Sequence, residues 1–322
     1  MNKINVTLSS FYLYLLLLFS VSTALSRTSL LNIWLIIEIN TILFLSILCS
    51  SLAGRKRIIK YFIIQASASI AIVLRLLLVS SNTNFSLLLT QGSLVIKLGT
   101  IPGHIWYISI IQDLRWLNIY ILSTIQKIIP LRILSRLSPH FAIMFFILIS
   151  RLGGLLGTKS RSIKRLMAYS GVLNVGWLLG SSMSINSFVF FFLCYFFTMG
   201  GVVHILSSNE SALILDSKSG FSSTDTILMG ALLLSLAGLP PFINFWAKVL
   251  VLKVMIFSST ASAIAGLILT IITRWMVYLY LGLIDKFILK NNSFRLKALK
   301  FYSTSKYVIV YLIPVLGGWL MV

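Results

Sequence analysis

The chain has 322 residues, 58% of them hydrophobic and only 10% charged, with a mean hydropathy of +0.99. A soluble domain carries about 25% charged residues, so the composition excludes one, and long apolar runs in place of roughly ten-residue alternating segments exclude a barrel. The formal charge of +21, from 27 Lys+Arg against 6 Asp+Glu, would suggest nucleic acid in a soluble chain. Here the basic residues sit in short connections between apolar runs and no nucleic-acid-binding motif is present, so they read as orientation signals in a membrane and no nucleic-acid partner is expected.

In chain order, apolar windows predict eleven helical spans, near 6–26, 29–53, 61–82, 86–112, 117–136, 138–157, 163–183, 186–206, 224–256, 260–282 and 304–322. The fold class is all-α: a single polytopic membrane domain over 1–322, with polar connections at 54–60, 207–223 and 283–303. The first run reads as a helix that stays in the membrane, not as a cleaved signal. The fourth and ninth spans are too long for one straight crossing. The fourth carries Gly99, Pro102 and Gly103, and the ninth carries Gly238-Leu239-Pro240-Pro241. Proline removes a backbone donor and clashes with the preceding turn. Both spans are therefore expected as discontinuous helices, whose breaks are tolerated at membrane depth only inside protein or beside a watery cavity.

Charge counting then sets the topology. With each broken span crossing once, Lys3, the run Arg55–Lys60, Arg115, Lys159–Arg165, Lys218 and the basic residues of 283–303 all fall on one side, while the other holds little beyond Arg27, Arg132 and Arg136. The positive-inside rule places the N-terminus and the basic loops on the cytoplasmic or matrix face. Cys49 and Cys194 have no CxxC or CxxH partner, and no phosphate loop or paired haem ligands are visible, so no metal or redox cofactor is expected in this chain.

Four ionisable residues lie deep in apolar surroundings: Glu38, Lys97, Lys127 and Lys248. A charge at the bilayer centre costs roughly 2.5–3.5 kcal/mol on insertion scales, and the chemistry that most often uses such groups is charge movement. Burial disfavours an ammonium and a nearby carboxylate favours it, so a Glu–Lys pair of variable spacing is a proton switch. Against this stand two plainer readings, snorkelling to the headgroups and a purely structural ion pair. His104 reads as a proton acceptor near the first break or as a capping residue, His204 as packed or interfacial, and His140 as a loop residue. Arg75, Arg151 and Arg274 are expected to make interhelical hydrogen bonds or contact neighbouring subunits.

Several segments are familiar together. Lys97-Leu98-Gly99-Thr100-Ile101-Pro102-Gly103-His104-Ile105-Trp106 resembles the "KLGxxPxHxW" segment of chain 2 of NADH:ubiquinone oxidoreductase, the antiporter-like subunit family of respiratory complex I. Gln126-Lys127-Ile128-Ile129-Pro130-Leu131 is similar to "QKxxPL". Lys164-Arg165-Leu166-Met167-Ala168-Tyr169-Ser170 with Gly176-Trp177 is similar to "RKxMAYS…GW". Ser235-Leu236-Ala237-Gly238-Leu239-Pro240-Pro241-Phe242 with Lys248 is similar to "SLGGLPP…PKW", and Tyr61-Phe62 with Gln65-Ala66 also matches. The resemblance covers about residues 30–256.

The resemblance implies an antiporter-like bundle that couples NADH–ubiquinone electron transfer in other subunits to proton translocation. Glu38 and Lys97 would form the ion pair, Lys127 the central lysine and Lys248 the exit-side lysine. It also implies that NADH, FMN, iron–sulfur clusters and ubiquinone belong to other subunits of the complex. The expected partners are neighbouring membrane-arm subunits, antiporter-like ones among them, and membrane lipids; the expected place is the mitochondrial inner membrane with the basic loops in the matrix. Three departures stand out: Asn174 occupies a position commonly His, Ile108-Ser109 replaces the usual Pro-Glu, and Trp246-Ala247 precedes the exit lysine. Two rival readings remain, a stand-alone cation/proton antiporter subunit and a structural complex I subunit without pumping of its own.

Overall fold

The computed structural model describes residues 2–50, 54–78, 83–101, 103–137, 162–208 and 223–290. The expected spans at 138–157 and 304–322, most of the loops at 207–223 and 283–303, and Pro102, His140 and Arg151 lie outside these residues. The described residues form helices: α1 (Asn2–Ser26), α2 (Leu30–Ser50), α3 (Arg55–Leu78), α4 (Thr83–Leu98), α5 (His104–Ile111), α6 (Trp116–Ser123), α7 (Ile125–Leu137), α8 (Ile163–Ser181), α9 (Ile185–Ser208), α10 (Ser223–Ala237), α11 (Ile243–Ser258) and α12 (Thr260–Lys290). No strand occurs among them. The segments Leu30–Cys49, Lys56–Arg75, Trp116–Leu137, Ile185–Ser208 and Thr260–Ile284 are long and apolar enough to cross a membrane.

The chain divides into two compact units, Met1–Leu179 and Gly180–Val322. In the first, α2 packs on α1 and α3, α4 on α3 and α7, α7 on α1 and α6, and α5 on α3. Its interior is closed by Phe44, Tyr61, Ile72, Tyr107 and Trp177. In the second, α9 packs on α10 and α11, and α12 on α10 and α11, around Phe191, Tyr195 and Tyr280. Large apolar side chains such as Phe19, Ile42, Ile70, Leu88 and Ile271 face outward, as a lipid-facing helix surface requires.

Both expected breaks are present, and they share one design. At the first, Gly99 has φ 70°; its amide donates to the Ile96 carbonyl at 3.0 Å and that of Thr100 to Val95 at 3.3 Å. At the second, Gly238 has φ 82°; its amide donates to Ser235 at 2.9 Å and that of Leu239 to Leu234 at 3.3 Å. This paired 5→2 and 6→1 pattern is the Schellman ending, which needs a left-handed residue that glycine alone supplies without strain. Each break thus satisfies part of its orphaned carbonyls from its own turn.

A third interruption falls in the expected span 117–136, between α6 and α7 at Thr124. The hydroxyls of Ser123 and Thr124 both donate to the Tyr120 carbonyl, at 3.0 and 2.6 Å, a back-bonding that bends helices. Pro130 lies inside α7 and withholds the amide that would bond the Gln126 carbonyl. Windows of hydropathy are blind to this break, because it sits in an unbroken apolar run.

At one end of the first unit, Arg57 at the start of α3 pairs with Asp113 in the α5–α6 turn. Lys60 donates to Ser109 Oγ at 3.3 Å, and Lys164 of α8 to the Leu114 carbonyl at 2.8 Å while covering the Trp116 ring. The basic starts of α3 and α8 and the Arg115 turn therefore gather on one face, as a single broken crossing by α4–α5 demands.

Candidate functional site

Lys97 is the penultimate residue of α4, in the last turn before the Schellman ending, where the backbone dipole favours a cation. Lys127 stands in the first turn of α7, directly after the Thr124 interruption. The two side chains are 7% and 2% exposed. They line one cavity of about 20 Å³, between the polar side chains of Asn40, Gln65 and Gln126 and the apolar ones of Leu98, Leu122 and Ile129 among others. A volume of that size has room for about one water molecule.

The polar wall of this cavity is organised by side chains. Asn40 of α2 and Gln126 of α7 exchange two hydrogen bonds: Asn40 Nδ2 donates to Gln126 Oε1 at 3.2 Å, and Gln126 Nε2 to Asn40 Oδ1 at 3.4 Å. The Ser20 hydroxyl adds a 3.5 Å contact to Asn40 Oδ1. The Lys127 ammonium donates to the Gly171 carbonyl of α8 at 3.1 Å and lies 4.8 Å from the centre of the Tyr107 ring. Trp106 Nε1 donates to the Ile96 carbonyl at 2.9 Å, a second donor on the acceptor of the Gly99 amide.

Glu38 lies half-buried on α2, two residues before Asn40. Its carboxylate interacts electrostatically with Lys97 and with Tyr61. No hydrogen bond joins the two: Glu38 Oε1 and Lys97 Nζ are both buried, and neither has a hydrogen-bond partner among the described residues. The two charges sense each other at a distance. His104 opens α5, and its buried Nδ1 has no hydrogen-bond partner among the described residues.

Lys248 belongs to the second unit and has surroundings of its own. It is 6% exposed and reaches back from α11 to donate to the carbonyls of Leu236 and Ala237 at 3.0 and 2.7 Å. These are the last carbonyls of α10, so the lysine occupies the negative end of the broken helix. A Cβ on Gly238 would lie 2.8 Å from Lys248 Cδ and 2.9 Å from its Nζ; the glycine makes room for the lysine as well as the turn. Nearby, Asn244 Nδ2 donates to Thr198 Oγ1 at 3.2 Å, and Asn244 Oδ1 is buried without a hydrogen-bond partner among the described residues.

The structure thus brings Lys97 and Lys127 to one cavity, sets Glu38 beside it, and places Lys248 at an equivalent helix break in the other unit. Arg75 donates to Thr90 Oγ1 at 3.3 Å between α3 and α4, the interhelical bond expected of it, whereas His204 and Arg274 are exposed. Asn174 is buried. The residues that sequence reasoning passed over are Asn40, Gly171 and Tyr107. Asn40 follows Glu38 by two positions in an apolar run, a polar signal that was available; the other two are visible only once α5, α7 and α8 meet. Among the described residues no group of three or more His, Cys, Asp or Glu is placed to hold a metal.

Comparison with known proteins follows the same residues. The profile of the NADH:quinone oxidoreductase/Mrp antiporter transmembrane family matches residues 62–273. NADH-ubiquinone oxidoreductase chain 2 of Artemia franciscana is 32% identical over 84% of this chain and 87% of its own length. The chain 2 of Anopheles gambiae is 30% identical over 96% of this chain and 95% of its own. Among solved structures, a chain of respiratory complex I from Thermus thermophilus superposes with a TM-score of 0.74 at 22% identity, over 85% of this chain and 70% of that one. A profile match across most of the chain, together with relatives matched nearly end to end, places this chain in the NADH:quinone oxidoreductase/Mrp antiporter family, on its NADH-ubiquinone oxidoreductase chain 2 branch.

Proposed function

We propose that Glu38, Lys97, Lys127 and Lys248 take up and pass protons through this membrane subunit of respiratory complex I. NADH, FMN, iron–sulfur clusters and ubiquinone serve electron transfer in other subunits, and the energy released there changes the spacing of charges here. The observation that carries the reading is the shared cavity: two lysines, almost wholly buried, face one small space of mixed polar and apolar lining at a helix break. An ammonium without a paired carboxylate is costly in such a place, and a lysine that exchanges its proton avoids holding that charge permanently.

In this scheme Glu38 and Lys97 act as the switch. They interact electrostatically without hydrogen-bonding, so a small change in their separation alters how firmly Lys97 keeps its proton. A water in the cavity would carry that proton toward Lys127, with Asn40 and Gln126 orienting it. His104 is a further acceptor near the break. Lys248 performs the exit-side step in its own unit. The subunit lies in the mitochondrial inner membrane, with its N-terminus and basic connections facing the matrix, as the charge asymmetry of the connections supports.

Lys127→Met tests this in the assembled complex. The number of protons moved per electron is expected to fall while the amount of intact complex stays the same. An unchanged ratio in an intact complex would sink the pumping role and favour the structural reading, to which the buried Asn174 at a position commonly His already lends weight. Recovery of the chain in an assembly that does not oxidise NADH would favour a stand-alone antiporter subunit instead.

A further inference from the structure

The Lys127 ammonium rests on the face of an aromatic ring, and that ring is wedged end to end. Tyr107 is 1% exposed. At its base, a Cβ on Gly99 would fall 2.7 Å from Tyr107 Cβ. At its tip, a Cβ on Gly171 would fall 2.7 Å from the Tyr107 hydroxyl oxygen. Both distances are closer than real Cβ contacts, so the ring fills the gap between the α4 break and α8 with no slack along its own axis. Edge-to-face contacts brace it from the side, with Trp106 at 5.8 Å between ring centres and Tyr61 behind Trp106 at 5.9 Å.

Gly171 therefore does two things at once. Its missing side chain admits the tyrosine hydroxyl, and its carbonyl accepts from Lys127 at 3.1 Å. The ammonium is held between that carbonyl and the electron-rich ring face, 4.8 Å from the ring centre, a distance at which the ring quadrupole attracts a cation. We propose that Tyr107 is a positioning residue for Lys127: its ring, locked between Gly99 and Gly171, is the seat that keeps the ammonium at the Gly171 carbonyl and on the wall of the cavity shared with Lys97. A ring that served only to fill the core would be replaceable by any side chain of similar bulk; a seat needs an aromatic face in this place.

The inference rests on the reading of Lys127 as a proton carrier, and its test separates the two. The assembled complex is prepared with Tyr107→Phe, Tyr107→Leu, Gly171→Ala, the double variant Gly171→Ala/Tyr107→Phe, and Lys127→Met. The position of Lys127 is read from high-resolution structures, and proton-coupled turnover from the purified complex in vesicles. Tyr107→Phe keeps the ring face and is expected to leave Lys127 in place. Tyr107→Leu and Gly171→Ala are expected to shift the ammonium off the Gly171 carbonyl and to lower coupled turnover by roughly tenfold. The double variant is the discriminating one. Phenylalanine lacks the oxygen that the new methyl would strike, and the next ring atoms lie at 3.6 Å, an ordinary contact, so it is expected to restore what Gly171→Ala loses.

Lys127 keeping its hydrogen bond to Gly171 in Tyr107→Leu, or a Gly171→Ala defect that Tyr107→Phe fails to rescue, overturns the seat. If Tyr107→Leu does not assemble, the Gly171→Ala pair decides alone. If Lys127→Met leaves the proton ratio unchanged, the proton-carrier reading falls, and the seat is still judged by where the ammonium lies.

Discussion

Asn40 and Gln126 satisfy each other across α2 and α7 by two amide hydrogen bonds. Removing one member of such a pair strands the other in a site that water reaches poorly, at a cost of about 1–3 kcal/mol, whereas removing both together costs less than the sum. Asn40→Leu and Gln126→Leu are therefore expected to lower the thermal stability of the complex singly. The double variant should recover about 1 kcal/mol relative to additivity, measured as a double-mutant cycle on thermal denaturation; strict additivity would show that the pair is not coupled. At this scale the sequence was explicit about the ionisable groups and silent about their partners. Lys97, Lys127 and Lys248 announce themselves because a lysine inside an apolar run stands out against every neighbour. That Glu38 senses Lys97 without touching it, or that Lys127 sits on Tyr107, depends on side chains many positions apart in the chain.

The breaks belong to the scale of the element. Gly99 and Gly238 occupy the same left-handed position of the same helix ending, and an L side chain there costs roughly 1–2 kcal/mol from backbone strain alone. Their surroundings differ. A methyl on Gly238 meets the flexible end of Lys248, but a methyl on Gly99 meets Tyr107 Cβ, which cannot retreat from its backbone. Gly99→Ala is accordingly expected to lower the melting temperature of the complex more than Gly238→Ala. Gly238→Ala is expected instead to displace the Lys248 ammonium from the Leu236 and Ala237 carbonyls; equal thermal effects would contradict the distinction. Both of these breaks were legible, since Gly-Pro clusters interrupt apolar runs. The α6–α7 interruption was not, because Ser123 and Thr124 bend the helix by bonding back to Tyr120, and small hydroxyl residues barely change the hydropathy of a span.

Over the whole molecule, apolar side chains face outward on helices of both units, and the described ion pair, Arg57 with Asp113, lies at the surface with both side chains more than a third exposed. An exposed pair of this kind contributes at most about 1 kcal/mol and weakens with salt. Asp113→Asn is expected to change the stability of the complex by less than about 1 kcal/mol, with the difference vanishing at high salt; a larger loss would mean that the turn between α5 and α6 depends on that charge. The sequence by itself determined the membrane class, the helices of the described residues, two of the breaks and the identity of the buried lysines, because these follow from one-dimensional quantities: the length of apolar runs, the backbone limits of glycine and proline, and the cost of a charge in lipid. It also carried the sidedness of the basic connections, and the gathering of Arg57, Lys60 and Lys164 on one face agrees with it. Only the tertiary structure decided that Lys97 and Lys127 share a cavity, that an amide pair walls it, and that one tyrosine fits between two glycines beneath Lys127. Those arrangements are set by the packing of helices far apart in the chain, where a single methyl group changes what can touch.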